Sequence, residues 1–257
     1  MDKNLLSIAG YDPSGGAGVT LDLRVFEHFG FRGFGVLTAV TAQDARRVEA
    51  VCSLPATVVR RQMRVLGRGR RIAGIKVGMA GSLENLAAVA RILAAHPAIP
   101  RVVDPVFRSS SGARLLEKGA IPEFLSLLGG KASLITPNLD EAAALSGARV
   151  ETVEGMKEAA RRIHEASRVP CLVKGGHLRG EAVDVLWDGR TFTIFRHARL
   201  RRNVHGTGCF LTAAILAGLA GGRGLEDACR GGIALTVRGI RKSAPAGGGR
   251  RVFVFPL

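Results

Sequence analysis

The residues best placed to do chemistry lie in one short run, Asn203-Val204-His205-Gly206-Thr207-Gly208-Cys209. Two glycines flank a threonine, a cysteine follows, and an apolar, helix-forming stretch runs from Phe210 to Ala220. Small residues at a helix start leave its first backbone N–H groups bare, with the positive end of the helix dipole behind them. That arrangement suits an anion such as a transferring phosphoryl group. Cys209 stands in the same field. A helix N-terminus tends to lower a thiol pKa, whereas apolar burial raises it.

Other residues able to do chemistry stand where strand-like segments end. Gly10 to Gly18 (GYDPSGGAG) is a glycine-rich turn that lets backbone approach a ligand closely, although it is neither a GxGxxG nor a Walker sequence. Asp22 lies four residues beyond it. Gln43 offers an amide that can donate and accept at once, which suits the edge of a heterocycle. Asp104 precedes a proline. Asn138 and Glu141 open a helix, and together with Asp104 they have the chemistry to hold a hydrated Mg²⁺ that bridges phosphates. Lys174 ends a strand before Gly175-Gly176-His177 and has the charge to neutralise polyphosphate. Taken singly, each also has an ordinary reading: a turn, a solvated carboxylate, a loop amide, a helix cap of the Asn-x-x-Glu kind, a surface lysine.

The elements that must position these residues alternate between strand and helix. Strands are expected at Leu5–Ala9, Phe34–Thr41, Ile72–Val77, Arg101–Asp104, Ser133–Thr136 and Cys171–Lys174. Helices are expected at Val19–His28, Thr57–Leu66, Leu83–His96, Ile121–Leu128, Asp140–Leu145 and Val153–Ser167. A hairpin about Asp188-Gly189 joins Ala182–Trp187 to Thr191–Phe195. Two helices follow, from Thr207 and from Leu225, and Val252–Phe255 reads as an edge strand. Repeated βα units with apolar strands predict a parallel, doubly wound sheet, whose ligands bind beyond the carboxyl ends of the strands. No domain boundary is visible, so residues 1–257 are read as one domain.

Composition narrows the class. No stretch reaches the roughly 18–20 apolar residues of a membrane span, and no signal peptide is visible, so a cytoplasmic protein is expected. The four cysteines form no CxxC pair, which argues against a zinc site or disulfide framework. Cys52, Cys171 and Cys229 read as small core or boundary residues. The net charge of +16 raises the question of nucleic acid, but only Arg60–Arg71 is a dense basic cluster and aromatic residues are 5% of the chain. Specific nucleic-acid binding is therefore not expected.

In their order the motifs carry more than any of them alone. AGYDPSGGAG with Asp22 behind it, TAQ at 41–43, KVGM at 76–79, VVDPV at 102–106, ITPNLDEA at 135–142, KGGH at 174–177 and NVHGTGC at 203–209 resemble the hydroxymethylpyrimidine kinase/phosphomethylpyrimidine kinase family, within the ribokinase-like superfamily. The resemblance runs from about Leu5 to Lys242. It implies a three-layer, largely parallel sheet with a minimal lid, ATP-dependent phosphorylation of a hydroxymethyl group on a small heteroaromatic ring in thiamine biosynthesis, and a homodimer. By the same resemblance Gly206, Thr207 and Gly208 form the anion hole, and Cys209 is the catalytic residue beside the acceptor hydroxyl. Gly10, Asp22, Gln43, Met79 and Val106 line the acceptor site. Lys174, Asn138 and Thr207 face the nucleotide, and Asp104 and Glu141 face Mg²⁺.

Departures from the family pattern gather near the acceptor loops. Tyr11 and Asp44 replace the usual small residue and asparagine, Ala45-Arg46-Arg47 replaces small uncharged residues, and Phe107–Ala113 lacks the usual lysine and second acidic residue. They raise the alternatives of a retuned acceptor, with Arg46 or Arg108 meeting an anion, of a pyridoxal or pyridoxine kinase, and of a non-catalytic ligand-binding protein.

Overall fold

The computed structural model describes residues 4–176, 178 and 182–257. The first strand, β1 (Asn4–Tyr11), is followed by α1 (Gly18–His28), β2 (Arg32–Gln43) and β3 (Val48–Ser53). Next come α2 (Ala56–Leu66), β4 (Ile72–Val77), α3 (Leu83–Ala94), β5 (Arg101–Val103), α4 (Ala120–Leu128), β6 (Leu134–Ile135), α5 (Leu139–Ser146), α6 (Val153–Ser167) and β7 (Cys171–Gly175). The chain closes with the β8 (Ala182–Trp187) and β9 (Phe192–His197) hairpin, α7 (Thr207–Ala220), α8 (Leu225–Lys242), and the short β10 (Ala244–Pro245) and β11 (Arg251–Val252).

Among the described residues one nine-stranded sheet forms, in the order β3-β2-β1-β4-β5-β6-β7-β8-β9. From β2 through β7 the neighbours are parallel. β3, β8 and β9 pair antiparallel. The chain leaves β1 to one side for β2 and later returns to its other side as β4. This reversal marks the crevice where doubly wound sheets bind ligands.

The alternation of side chains along each strand separates two cores. Leu6, Val103, Ile135 and Val173 face a layer of α2, α3, α4, α5 and α6. Their neighbours Leu5, Val102, Leu134 and Leu172 face α1, α7 and α8. Strands buried on both sides are mostly apolar, as in β1 and β4, with Ser7 and Lys76 among the buried polar exceptions. α7 is apolar on all sides because it runs through the second core, where Phe210 to Gly218 are buried.

One element is added and two expectations are corrected. β3 is a real strand, unmarked in sequence because five of its six residues are exposed and only Val48 is half-covered. Cys52 lies on it and is exposed, not a core residue. The tail Val252–Phe255 is not an edge strand of the main sheet. Arg251–Val252 pairs with Ala244–Pro245 in a separate ribbon, and Phe253 is buried, its ring stacked on that of Phe210 at 4.2 Å.

Candidate active site

The carboxyl ends of the parallel strands bring the sequence-singled residues to one edge. β1 ends at Tyr11 before Asp12, β4 runs into Gly78 and Met79, β5 into Asp104, β6 into Thr136 and Asn138, and β7 carries Lys174. The start of α7 lies against this edge. A Cβ on Gly208 would stand 3.2 Å from Lys174 Nζ and 3.5 Å from Asp104 Oδ2. Thr212 Oγ1 and Thr136 Oγ1, hydrogen-bonded at 3.0 Å, tie the helix to the end of β6.

The N-cap of α7 is Gly206, with φ of 78° and no side-chain cap. An L side chain is strained at that angle, and its Cβ would also run into the carbonyl of Gly16. The glycine-rich loop after β1 therefore docks backbone against backbone on the helix start, and the N-cap residue supplies no side-chain hydrogen bond to the first N–H groups. The tail ribbon holds the approach to the helix: His205 N–H donates to Arg251 O at 2.8 Å, and Arg251 N–H to Asn203 O at 2.9 Å.

Two lysine–carboxylate pairs flank Cys209. Lys174 Nζ donates to Asp104 Oδ1 at 2.6 Å and is largely buried. Lys76 Nζ donates to Asp22 Oδ2 at 2.7 Å, with both side chains wholly buried. Ser7 Oγ donates to the same Asp22 oxygen at 2.6 Å, while Asp22 Oδ1 has no hydrogen-bond partner. Burial drives Asp22 above the usual carboxylate range despite Lys76. Burial would also strip the Lys76 proton, but the charges of Asp22 and Asp104 hold it on.

Cys209 itself is pushed up to about 11. Burial is the main cause, with Asp104 and Asp22 adding to it; Lys76 and a hydrogen bond from the Gly18 backbone act the other way. The helix start therefore does not win over desolvation, and the thiol keeps its proton at neutral pH.

Asn138 and Glu141 form a reciprocal capping box on α5. Asn138 Oδ1 accepts from Glu141 N–H at 2.9 Å, and Glu141 Oε2 accepts from Asn138 N–H at 2.8 Å. Asn138 thus has only its NH₂ group left to offer a nucleotide. Burial raises Glu141 to about 7, against the lowering charge of Lys174, and Asp104 raises it further. Among the described residues no group of three or more His, Cys, Asp or Glu could hold a metal. The pair Asp104 and Glu141 suits Mg²⁺ all the same, because that ion keeps most of its waters and takes one or two carboxylates.

Gly10 lies against Met79, whose Sδ would stand 2.8 Å from a Cβ there. Met79, Ala39 and Leu115, with Val106 against them, form a small apolar cluster. Gln43 Nε2 lies 3.1 Å from His205 Nε2, which lies 2.9 Å from Asp12 Oδ2. Asp12 and His205 carry no role in the sequence reading. The signal was there, since one ends a strand and the other precedes Gly206, but their meeting needs the fold. Lys76, in the KVGM run, was also passed over. His177 of the KGGH run lies outside the described residues.

The departures have local explanations. Phe107 is buried in an edge-to-face contact with Phe124, so it belongs to the core. Arg108 Nη1 donates to Gly112 O within its own turn. Asp44 Oδ1 accepts from the backbone N–H groups of Arg46 and Arg47, and Arg46 packs on Gly248. Tyr11 remains exposed at the end of β1.

A doubly wound sheet whose strand ends meet an uncapped helix start, two lysines and paired carboxylates defines a small-molecule phosphotransferase of the ribokinase-like fold. The phosphomethylpyrimidine kinase family model matches residues 12–253, and the chain belongs to that family. A hydroxymethylpyrimidine/phosphomethylpyrimidine kinase of Streptomyces coelicolor is 40% identical over 246 residues, covering 95% of this chain and 91% of its own. Phosphomethylpyrimidine kinase from Clostridium difficile superposes with a TM-score of 0.79 at 33% identity, over 92% of this chain and 99% of that one. Pyridoxal kinase from Staphylococcus aureus in complex with ADP superposes with a TM-score of 0.90 at 30% identity, over 99% and 93%.

Proposed function

We propose that the protein phosphorylates hydroxymethylpyrimidine, and then its monophosphate, from ATP with Mg²⁺, in the pyrimidine branch of thiamine biosynthesis. The observation that carries this reading is the uncapped start of α7 beside the Lys174–Asp104 pair. Phosphoryl transfer needs positioning and charge neutralisation above all, and this edge has both.

In this reading the γ-phosphoryl group lies on the N–H groups of Gly206, Thr207 and Gly208, with Lys174 and the Asn138 NH₂ group toward the nucleotide. Asp104 and Glu141 would hold Mg²⁺, which supplies neutralising charge on the phosphate oxygens. Asp22 Oδ1, the oxygen without a partner, and Gln43 take the polar edge of the acceptor ring. Gly10, Met79 and Val106 form its apolar wall. Cys209 stands beside the acceptor hydroxyl; only its thiolate can take that proton, and with a pKa near 11 about one molecule in ten thousand is thiolate at pH 7. Lys76 faces that thiolate, which becomes the neutral thiol once it has accepted the hydroxyl proton. The protein works as a cytoplasmic homodimer.

Replacement of Cys209 by alanine tests this assignment. Turnover is expected to fall by at least about a hundredfold, the scale of one general base, with the affinity for ATP retained. Near wild-type turnover in that variant would show that Cys209 is not the base. A second reading, a pyridoxal-type kinase, is favoured by the closer superposition on the pyridoxal kinase, 0.90 against 0.79. Gln43 favours the pyrimidine.

A further inference from the structure

Three side chains from distant parts of the chain meet just before α7. Asp12 Oδ2 and Gln43 Nε2 both approach the same nitrogen, His205 Nε2, at 2.9 and 3.1 Å. Asp12 is 3% exposed and His205 8%, so water gives neither an easy alternative partner. The other oxygen of Asp12, Oδ1, accepts from the Ser14 backbone N–H at 2.9 Å and from the Ser14 hydroxyl at 2.7 Å. Burial raises Asp12, but the hydrogen bonds from His205 and Ser14 outweigh it and hold the group below the usual carboxylate range.

A carboxylate has no proton to give, so the proton between Asp12 and His205 sits on His205 Nε2. That nitrogen then has no lone pair for an amide N–H. Its contact with Gln43 is favourable only when the amide oxygen faces it, which a half-turn about the last side-chain bond achieves. The half-turn points the NH₂ group away from His205. His205 cannot swing aside to relieve the constraint: its backbone N–H is held by Arg251 O at 2.8 Å, and Gly16 packs so closely on its ring that a Cβ there would overlap it.

We propose that Asp12 and His205 are positioning residues that fix the rotation of the Gln43 amide, so that its NH₂ group is presented as a donor to a ring-nitrogen lone pair of the heteroaromatic acceptor. The proposal rests on the reading of Gln43 as an acceptor contact. A freely turning amide accepts either a donor or an acceptor at that edge of the ring; a held one selects the lone pair. Because His205 directly precedes Gly206, the amide that reads the ring and the helix start that binds the phosphoryl group are held in one register.

The test is Asp12→Asn, measured by steady-state kinetics with hydroxymethylpyrimidine and ATP, alone and combined with Gln43→Ala. Asparagine keeps an oxygen for Ser14 but donates to His205 Nε2, which reverses the polarity and turns the Gln43 NH₂ group back. The acceptor KM is expected to rise about tenfold, the effect of one mispaired hydrogen bond. The KM for ATP and the saturated kcat should stay within about twofold, and the Gln43→Ala background should show no further rise. His205→Asn, too short to bridge, should give the same pattern and serves if Asp12→Asn does not fold. An unchanged acceptor KM in Asp12→Asn, beside a raised one in Gln43→Ala, overturns the proposal and leaves the proposed function standing. An equal rise in both backgrounds also overturns it, since that is the mark of a structural role. No effect of Gln43→Ala on the acceptor KM removes the proposal together with the acceptor reading of Gln43.

Discussion

At Cys209, a protonated thiol sits among two lysines and two carboxylates. Its helix-start position favours the thiolate, yet burial and the carboxylates win and raise it to about 11. Alkylation by iodoacetamide reports this directly. In a Cys52→Ser background, which silences the exposed cysteine on β3, the Cys209 rate should climb about tenfold per pH unit up to pH 10, following the thiolate fraction. A plateau below pH 8 would mean the helix field dominates. Glu141 gives a second test at this scale. Its folded-state value of about 7 lies above the ordinary 4.5, chiefly through burial. A raised acid favours the folded state while protonated, so ionisation erodes stability as pH rises from about 4.5 to above 7. Glu141→Gln keeps an acceptor for the Asn138 N–H and cannot ionise. Its Tm should match wild type near pH 4.5 and exceed it clearly, by about 5–10 °C, at pH 8, while Mg²⁺-dependent turnover falls. An equal Tm difference at both pH values would contradict the burial account.

At the scale of the element, the start of α7 is set by backbone contact, and Gly206 is where that shows. Gly206→Ala introduces a Cβ at a φ of 78° and against the Gly16 carbonyl. Strain of about 1–3 kcal/mol should lower the midpoint of urea unfolding. Turnover should fall by about a hundredfold, since a small displacement of the phosphoryl site is enough. A variant with wild-type turnover would show that the helix start is not the phosphoryl site. Elements with strong local patterns were legible from the residues alone: β4 at Ile72–Val77, α6 at Val153–Ser167 and β8 at Ala182–Trp187 fall where the sequence puts them. β3 was not, because an exposed edge strand has no buried face to print a period of two. Nor was the tail, whose Phe253 finds Phe210, 43 positions earlier, only through the fold.

Across the whole molecule, the parallel sheet and its ligand edge follow from repeated βα units, and the ordered motifs were enough to point to the kinase family. The sequence could not reveal which side chains pair. The Lys76–Asp22 contact spans 54 residues, and the His205–Asp12 contact spans 193. The +16 charge spreads over the surface: Arg161 and Arg162 are paired along α6, and no helix among the described residues is long and apolar enough to cross a membrane. Of the departures, Phe107 belongs to the core and Asp44 and Arg108 bond within local turns, while Tyr11, Asp44, Arg46, Arg47 and Arg108 are all exposed. The direct measurement is ADP release with hydroxymethylpyrimidine, its monophosphate and pyridoxal as acceptors, each with ATP and Mg²⁺. Turnover with both pyrimidines at a kcat/KM well above that for pyridoxal is the predicted result; a preference for pyridoxal, or no ADP release with either pyrimidine, would contradict it.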